Sequence, residues 1–359
     1  MKLMKRGAAF ALAVLMLISA GCGGDTSWVF RSGGDVIPAG LYIIGQINGY
    51  SEAMSQIAEE NRDDPEFVLS GPRELLKLTV EGKPAGEWIN ESARKLSREI
   101  IAVDRKFASL GLSLDENDNA YIENSVSAVK VQNGDFYSKA GVSDDSLRQY
   151  YAFTLKRTRL FTALYSEGGE FAVPDSELRD YFKANYGYAE LLPVEIPYSV
   201  PEGETRSLEE LREQAGIDAD NILKRAEAGE AMETIAYERI KENAGAEESL
   251  PPPAKDDISM LVSEKDKGEY GEAFVDALLN VKPGETGRFE ALGFYFVFKG
   301  RDVLEDPALL ETYGQTLLVE MKADDFSARL EEWSNEIALE ENVAALNRYK
   351  PDRIKFPEV

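Results

Sequence analysis

Few residues of this chain could carry catalytic chemistry. Its 359 residues include no histidine and a single cysteine, Cys22. Without histidine, a Ser-His-Asp or Cys-His nucleophile, an imidazole base and a His-ligated metal are all excluded. A lone cysteine also cannot form an internal disulfide or a Cys-rich zinc site. Carboxylates remain, but with 65 acidic residues the sequence alone cannot single out a catalytic pair.

One run of acidic and amide residues resembles a metal-binding loop. Asp115, Asn117 and Asn119 have the spacing that begins a calcium loop. However, Ala120 stands where glycine is needed, and Val126 stands where the bidentate glutamate belongs. We therefore interpret the run as the start of a helix, and we predict no metal site and no cofactor.

Charge and composition restrict the class of partner. The formal net charge of −25 and the pI near 4.5 argue against nucleic acid, because binding a polyanion requires clustered lysine and arginine. A content of 43% hydrophobic and 10% aromatic residues is typical of a folded protein. The length fits two or three domains.

Residues 1–21 have the pattern of a signal peptide. A cationic start precedes the apolar run Ala8–Ile18, which is too short for a permanent transmembrane helix. The ending SAGC resembles a bacterial lipobox, although Ser19 stands where leucine is usual. We therefore expect Cys22 to carry diacylglycerol and residues 22–27 to form a tether on the outer face of the cytoplasmic membrane. An ordinary signal peptide with a chance cysteine is the alternative.

Apolar periodicity predicts a mostly helical first half and a mixed second half. Four amphipathic helices are expected to begin near Pro38, Ala85, Ser113 and Ser143. A capping box is predicted at Ser113–Glu116. After the glycine pair Gly168-Gly169, strands at 189–198 and 292–299 alternate with helices, and a long helix at 306–337 follows.

Several segments resemble one family of foldases. KPGETGRFEALGFYFVFKGRDV, at 282–303, looks like the last strand segment of parvulin-type peptidyl-prolyl isomerases, and AEAGEAMETIA, at 226–236, resembles their helix-turn pattern. IPAGLY, at 37–42, and NRYKPDRI, at 347–354, resemble the chaperone domain of PrsA and SurA-like foldases, as does LYSEGGEF leading into PDSELRDYF. Together the resemblance covers most of residues 28–356.

The resemblance implies an α+β, mostly helical fold. A helical chaperone domain at 28–172 would be completed by a C-terminal helix at 303–359 that packs back on it. A connecting helix at 173–185 would lead to an inserted parvulin-like α+β domain at 186–302.

The chain departs from the parvulin pattern at the active site. Parvulins carry two histidines, one in the first strand and one in the last, and the chain has neither. When the segments above are aligned with the parvulin pattern, Tyr295 stands at the position of the last-strand histidine. Leu191 or Leu192 stands at the position of the first-strand histidine. The hydrogen-bonding groups that line the bottom of the parvulin active site are therefore expected to be lost. Phe294 and its alternating neighbours either line a pocket or pack in a core, and the sequence leaves both readings open.

The implied function is that of a membrane-anchored chaperone for unfolded or partly folded exported proteins. We expect such clients to contact Tyr150, Tyr151 and Phe153 of the fourth helix and Phe294 of the last strand. An active isomerase with a divergent site is one alternative. A solute-binding lipoprotein with two lobes of parallel strands is another. The oligomeric state stays open.

Overall fold

The computed structural model describes residues 26–64, 67, 69, 71–244 and 251–356. The expected signal peptide, Cys22 and most of the tether lie outside these residues. No helix in the described ranges is both long and apolar enough to cross a membrane. The chain divides into two compact units, which we call the terminal unit (Met1–Leu164 with Asp324–Val359) and the central unit (Tyr165–Ala323).

Helices predominate among the described elements. The first half of the chain contains β1 (Trp28–Ser32), β2 (Asp35–Pro38), α1 (Ala39–Glu60), α2 (Pro72–Leu75), β3 (Thr79–Val80), β4 (Lys83–Pro84), α3 (Ala85–Ser109), α4 (Glu116–Ala140) and α5 (Asp144–Tyr165). The second half contains α6 (Asp175–Asn185), β5 (Tyr186–Glu195), α7 (Leu208–Glu227), α8 (Met232–Ala244), β6 (Ser259–Ser263), α9 (Lys267–Tyr270), α10 (Glu272–Leu279), β7 (Thr286–Ala291), β8 (Phe294–Gly300), α11 (Pro307–Asn335), β9 (Glu340–Glu341) and α12 (Val343–Arg348). The predicted fold class, α+β and mostly helical, is confirmed.

Two glycines let α1 and α3 of the terminal unit approach closely. A Cβ atom at Gly45 would lie 2.9 Å from the Cα atom of Ala93, and one at Gly49 would lie 3.3 Å from the Cα atom of Ile89. Contacts this short leave no room for a larger side chain. Helix α1 is buried on all sides from Ala39 to Ile47 and on one face from there to Ile57.

The C-terminal segment, residues 340–356, packs against β1 and α1 of the terminal unit. Strand β9 pairs antiparallel with β1, so the N-terminal hairpin becomes a three-stranded sheet. Buried Gln46 donates a hydrogen bond to the carbonyl of Tyr349 at 2.9 Å, and buried Tyr50 donates one to the carbonyl of Pro351 at 2.8 Å. The ring of Phe356 packs edge-on against Tyr50, with 4.7 Å between ring centroids.

Helix α4 starts two residues later than the predicted capping box. The N-cap is Asp115 and not Ser113, which corrects that prediction. The Asp115 carboxylate accepts from the backbone N–H of Asp118 at 2.8 Å, and the Asp118 carboxylate accepts in return from the Asp115 N–H at 3.1 Å. Arg159 also donates to Asp118 at 2.8 Å and lowers the pKa of that carboxyl group.

The central unit is built on a four-stranded antiparallel sheet in the order β6-β5-β8-β7. Strand β5 covers Tyr186–Glu195 and so lies three residues earlier than predicted. Strands β6 and β7 were not predicted. Among the described strands every pairing is antiparallel, whereas a solute-binding lobe would need parallel strands.

The central unit extends beyond the predicted range 186–302 at both ends. Phe182 of α6 and Leu317 of α11 are fully buried in one cluster beside the sheet. Glu320 of α11 accepts hydrogen bonds from the Tyr186 hydroxyl at 3.0 Å and from Lys265 at 2.8 Å. These contacts explain why the unit begins before β5 and continues into α11, up to Ala323.

Candidate functional site

The side chains of β5 and β8 alternate between two faces of the central sheet. Cross-strand partners share a face, so the register assigns each residue to one side. The first face carries Ala189, Leu191, Pro193, Glu195, Phe294, Phe296 and Phe298. The second face carries the residues between them, including Leu192, Val194, Tyr295 and Val297.

Tyr295 lies on the second face, which the helices α7 and α8 cover. Its ring packs against their apolar cluster and is half-buried. The guanidinium of Arg288 lies 4.9 Å from the ring centroid, on the same face. Of the two candidate first-strand positions, only Leu192 shares this face, whereas Leu191 lies on the other. The tyrosine therefore occupies an apolar and cationic environment.

The first face is only partly covered by a helix. At one end, Leu191 and Phe298, each 8% exposed, are buried under Val275 and Leu278 of α10. The other end of the face lies beside the β7–β8 turn. There Phe294 is half-buried and does not belong to the apolar cluster that Val275 and Leu278 form with the sheet. The open end is the part of the sheet that an external molecule can reach.

Three half-buried phenylalanines lie toward this end, and we call them the aromatic surface: Phe289, Phe294 and Phe296. Phe289 and Phe296 also pack against the α10 cluster, which contains Phe274. The Phe296 ring centroid lies 5.0 Å from that of Phe274, 5.4 Å from that of Phe289 and 5.8 Å from that of Phe294. Phe274 is buried and packs against Phe289 and Phe296. Such edge-on and stacked ring pairs hold the rings in fixed positions.

Polar and apolar groups border the aromatic surface. Pro193 and Glu195 are exposed at the end of β5. Tyr270 packs against Phe274 with 5.9 Å between ring centroids. The hydrogen bond between the Tyr270 hydroxyl and Glu269 raises the pKa of the phenol. The tyrosine therefore stays neutral at physiological pH.

The β7–β8 turn exposes a leucine that the turn geometry does not favour. Leu292 and Gly293 both have positive φ, 55° and 79°. A two-residue hairpin turn of this kind favours Asn-Gly or Gly-Gly, because a branched side chain is strained there. Leu292 is nonetheless 58% exposed. The exposed Leu292 side chain thus adds apolar surface next to Phe294, although it contributes little to the core and strains the turn.

The tyrosines predicted on α5 lie in the terminal unit. Tyr150 is half-buried, and its hydroxyl accepts a hydrogen bond from Asn48 at 3.1 Å. Tyr151 is half-buried as well, and burial raises the pKa of its phenol. Phe153 is 5% exposed and packs in the interior, which corrects the expectation that it meets clients.

The structure thus places the sequence-derived candidates in separate units and adds residues to one of them. Phe294 and Tyr295 belong to the central unit, on opposite faces of its sheet. Phe274 and Phe289 were missed. The alternation of Arg288, Phe289 and Glu290 was a strand signal that could have found β7. Among the described residues no acidic or cysteine cluster is arranged to hold a metal ion.

The sequence matches no protein-family model and no curated protein. Solved structures that resemble the chain include three PrsA proteins. The peptidylprolyl isomerase PrsA of Bacillus anthracis is 15% identical, with 68% of this chain and 100% of that chain covered and a TM-score of 0.25. The foldase protein PrsA of Streptococcus pneumoniae is 13% identical, with 90% and 98% covered and a TM-score of 0.29. The foldase protein PrsA of Lactococcus lactis is 11% identical, with 91% and 99% covered and a TM-score of 0.36. These are the same kind of protein, PrsA foldases, that the sequence segments resemble.

Proposed function

We propose that the chain is an extracytoplasmic chaperone that binds unfolded segments of exported proteins through its aromatic surface. The observation that supports this most is the half-buried row of Phe289, Phe294 and Phe296 on a sheet face that α10 leaves open at one end. A group of apolar side chains that stays partly exposed on a folded protein marks a candidate binding site. Several weak apolar contacts also suit a client that must leave again.

The chemistry of both sheet faces supports binding without isomerase catalysis. Rotation about an X-Pro bond has a barrier of about 18–20 kcal/mol. An imidazole acid or base contributes about 10²- to 10⁴-fold in enzymes that use one, and the chain has no histidine. At the two positions where parvulins carry histidine, Leu191 or Leu192 offers no side-chain hydrogen-bonding group, and Tyr295 offers a hydroxyl on the face covered by α7 and α8.

We predict that the protein does not catalyse proline-limited refolding of a model client. The slow-phase rate constant is expected to change by less than about twofold, because shape alone replaces the missing acid–base groups. Tyr295→His is expected to add no activity, since position 295 lies on the face covered by α7 and α8. The measurement is the slow-phase rate with the intact protein and the variant at a tenth of the client concentration. An active parvulin serves as positive control, and strong acceleration by the unmodified chain would show a divergent active site.

We also propose that Cys22 anchors the protein to the outer face of the cytoplasmic membrane. It is the sole thiol and follows an apolar run that ends in small residues. In cells grown with a labelled fatty acid, the wild-type protein is expected to carry the label and Cys22→Ser is expected to carry none. Equal labelling of the two proteins would rule out this anchor. A Ser127→Ala variant, which changes an exposed serine outside the lipobox and keeps the cysteine, serves as the labelled control.

A further inference from the structure

One carboxylate lies on the same sheet face as the aromatic surface. Glu195 is the last residue of β5, and its partner across the sheet is Phe294. Directly opposed residues have Cβ atoms about 5 Å apart and share a face. Just beyond, the N–H of Ile196 donates to the carbonyl of Gly293 at 2.9 Å. The backbone at Glu195 is therefore held on both sides, so its side chain starts from a fixed position at the border of the aromatic surface.

This carboxylate is available to a ligand. Glu195 is exposed, and within the described parts of the chain no lysine or arginine forms an ion pair with it. Glu290, on the neighbouring edge strand, is also exposed, but its partner across the sheet is Tyr295, which lies on the second face. Glu195 and Glu290 thus carry the same charge on opposite faces of the sheet.

A carboxylate beside aromatic rings matches one kind of side chain. The apolar stem of lysine or arginine can lie along a phenylalanine ring while its cationic head reaches the carboxylate. The ring face itself also attracts a cation. The formal net charge of −25 adds a long-range attraction for basic segments and repels acidic ones. Short-range and long-range electrostatics therefore favour the same ligand.

We infer that Glu195 makes the aromatic surface select extended client segments in which a lysine or arginine lies next to apolar residues. The inference rests on the proposed function, because it assumes that the aromatic surface binds clients. It adds the class of segment that is bound and the residue that selects it. Glu195 would act at short range, where the register places it opposite Phe294.

Three labelled twelve-residue peptides test the inference. They share one apolar sequence and differ at one central position, which is lysine, alanine or glutamate. Their affinities for the full mature chain are measured by fluorescence anisotropy. The lysine peptide is expected to bind about two- to fivefold more tightly than the alanine peptide, the range for an exposed ion pair. Glu195→Gln is expected to abolish this preference, and Glu195→Lys is expected to reverse the order of the lysine and glutamate peptides.

Glu290→Gln is the matched control, because it makes the same change in net charge on the other face. It is expected to keep the preference for the lysine peptide. If Glu195→Gln and Glu290→Gln reduce the preference equally, the overall charge causes it and the inference is wrong. If the alanine peptide binds and Glu195→Gln leaves the preference unchanged, the inference fails while the proposed function stands. If the alanine peptide does not bind at all, the proposed function and the inference both fail.

Discussion

Removal of residues 340–359 is expected to lower the melting temperature of the terminal unit by about 10 °C or more. The segment supplies β9 to the N-terminal sheet and the Phe356 ring to the core around Tyr50. It also accepts hydrogen bonds from Gln46, which is 0% exposed, and from Tyr50, which is 2% exposed. Both donors lose an acceptor in the truncated chain.

The size of this effect follows from the groups left behind. Loss of the Tyr50 hydrogen bond leaves a buried donor, which costs about 1–3 kcal/mol. Gln46 keeps its bond to Asn90, so its lost bond costs about 1 kcal/mol. Loss of the packed part of the Phe356 side chain adds about 1–2 kcal/mol. The sum is about 3–6 kcal/mol, and each kcal/mol shifts the melting temperature of a unit of this size by about 2–4 °C.

Tryptophan fluorescence measures this transition selectively. All three tryptophans, Trp28, Trp88 and Trp333, belong to the terminal unit. A thermal scan followed by their emission therefore reports on that unit and is not mixed with unfolding of the central unit. Lys355→Ala, which removes an exposed side chain from the same segment, is expected to melt like the wild type. An unchanged transition in the truncated chain would show that the terminal unit does not need its C-terminal segment.

The helices of the fold could be predicted because their signals are local. Apolar residues three and four apart define α1, α3 and α5, and Pro38 and Pro84 precede helix starts. The start of α4 was predicted less well. Ser113 and Asp115 are both good N-cap residues, and each is followed three residues later by a carboxylate, so the local sequence does not choose between them.

The strands and the aromatic surface depended on contacts that the sequence does not show. Strand β7 is short, and its Phe289 becomes part of a surface only by stacking on Phe296 of the next strand. The period of two in β8 separates Phe294 from Tyr295. This period does not show which face of the sheet a helix covers, because the covered face depends on where α7, α8 and α10 pack. For the same reason Glu195 could not be distinguished from the other acidic residues.

The double substitution Leu292→Asn with Phe294→Ser is expected to abolish most of the chaperone activity while preserving the fold. Leu292 is 58% exposed, and asparagine tolerates its positive φ of 55° better than leucine does. Phe294 is half-buried at the open end of the aromatic surface, so its removal takes away client contacts with little loss of core. Losing about 2 kcal/mol of apolar contact would raise the concentration needed for half-maximal protection about tenfold or more.

Ile217→Ser is the matched control, because it removes an apolar side chain that is 46% exposed on α7, away from the aromatic surface. It is expected to protect clients as well as the wild type does. Melting temperatures of both variants within about 3 °C of the wild type would confirm that the fold is intact.

Light scattering from a chemically unfolded client, diluted into buffer with increasing amounts of each protein, tests the central claim most directly. The account predicts that the wild type and Ile217→Ser suppress aggregation at near-stoichiometric concentration, whereas the double variant does so only at about tenfold higher concentration or not at all. Failure of the wild type to keep the client soluble would contradict the chaperone function. Equal protection by the double variant would contradict the assignment of client binding to the aromatic surface.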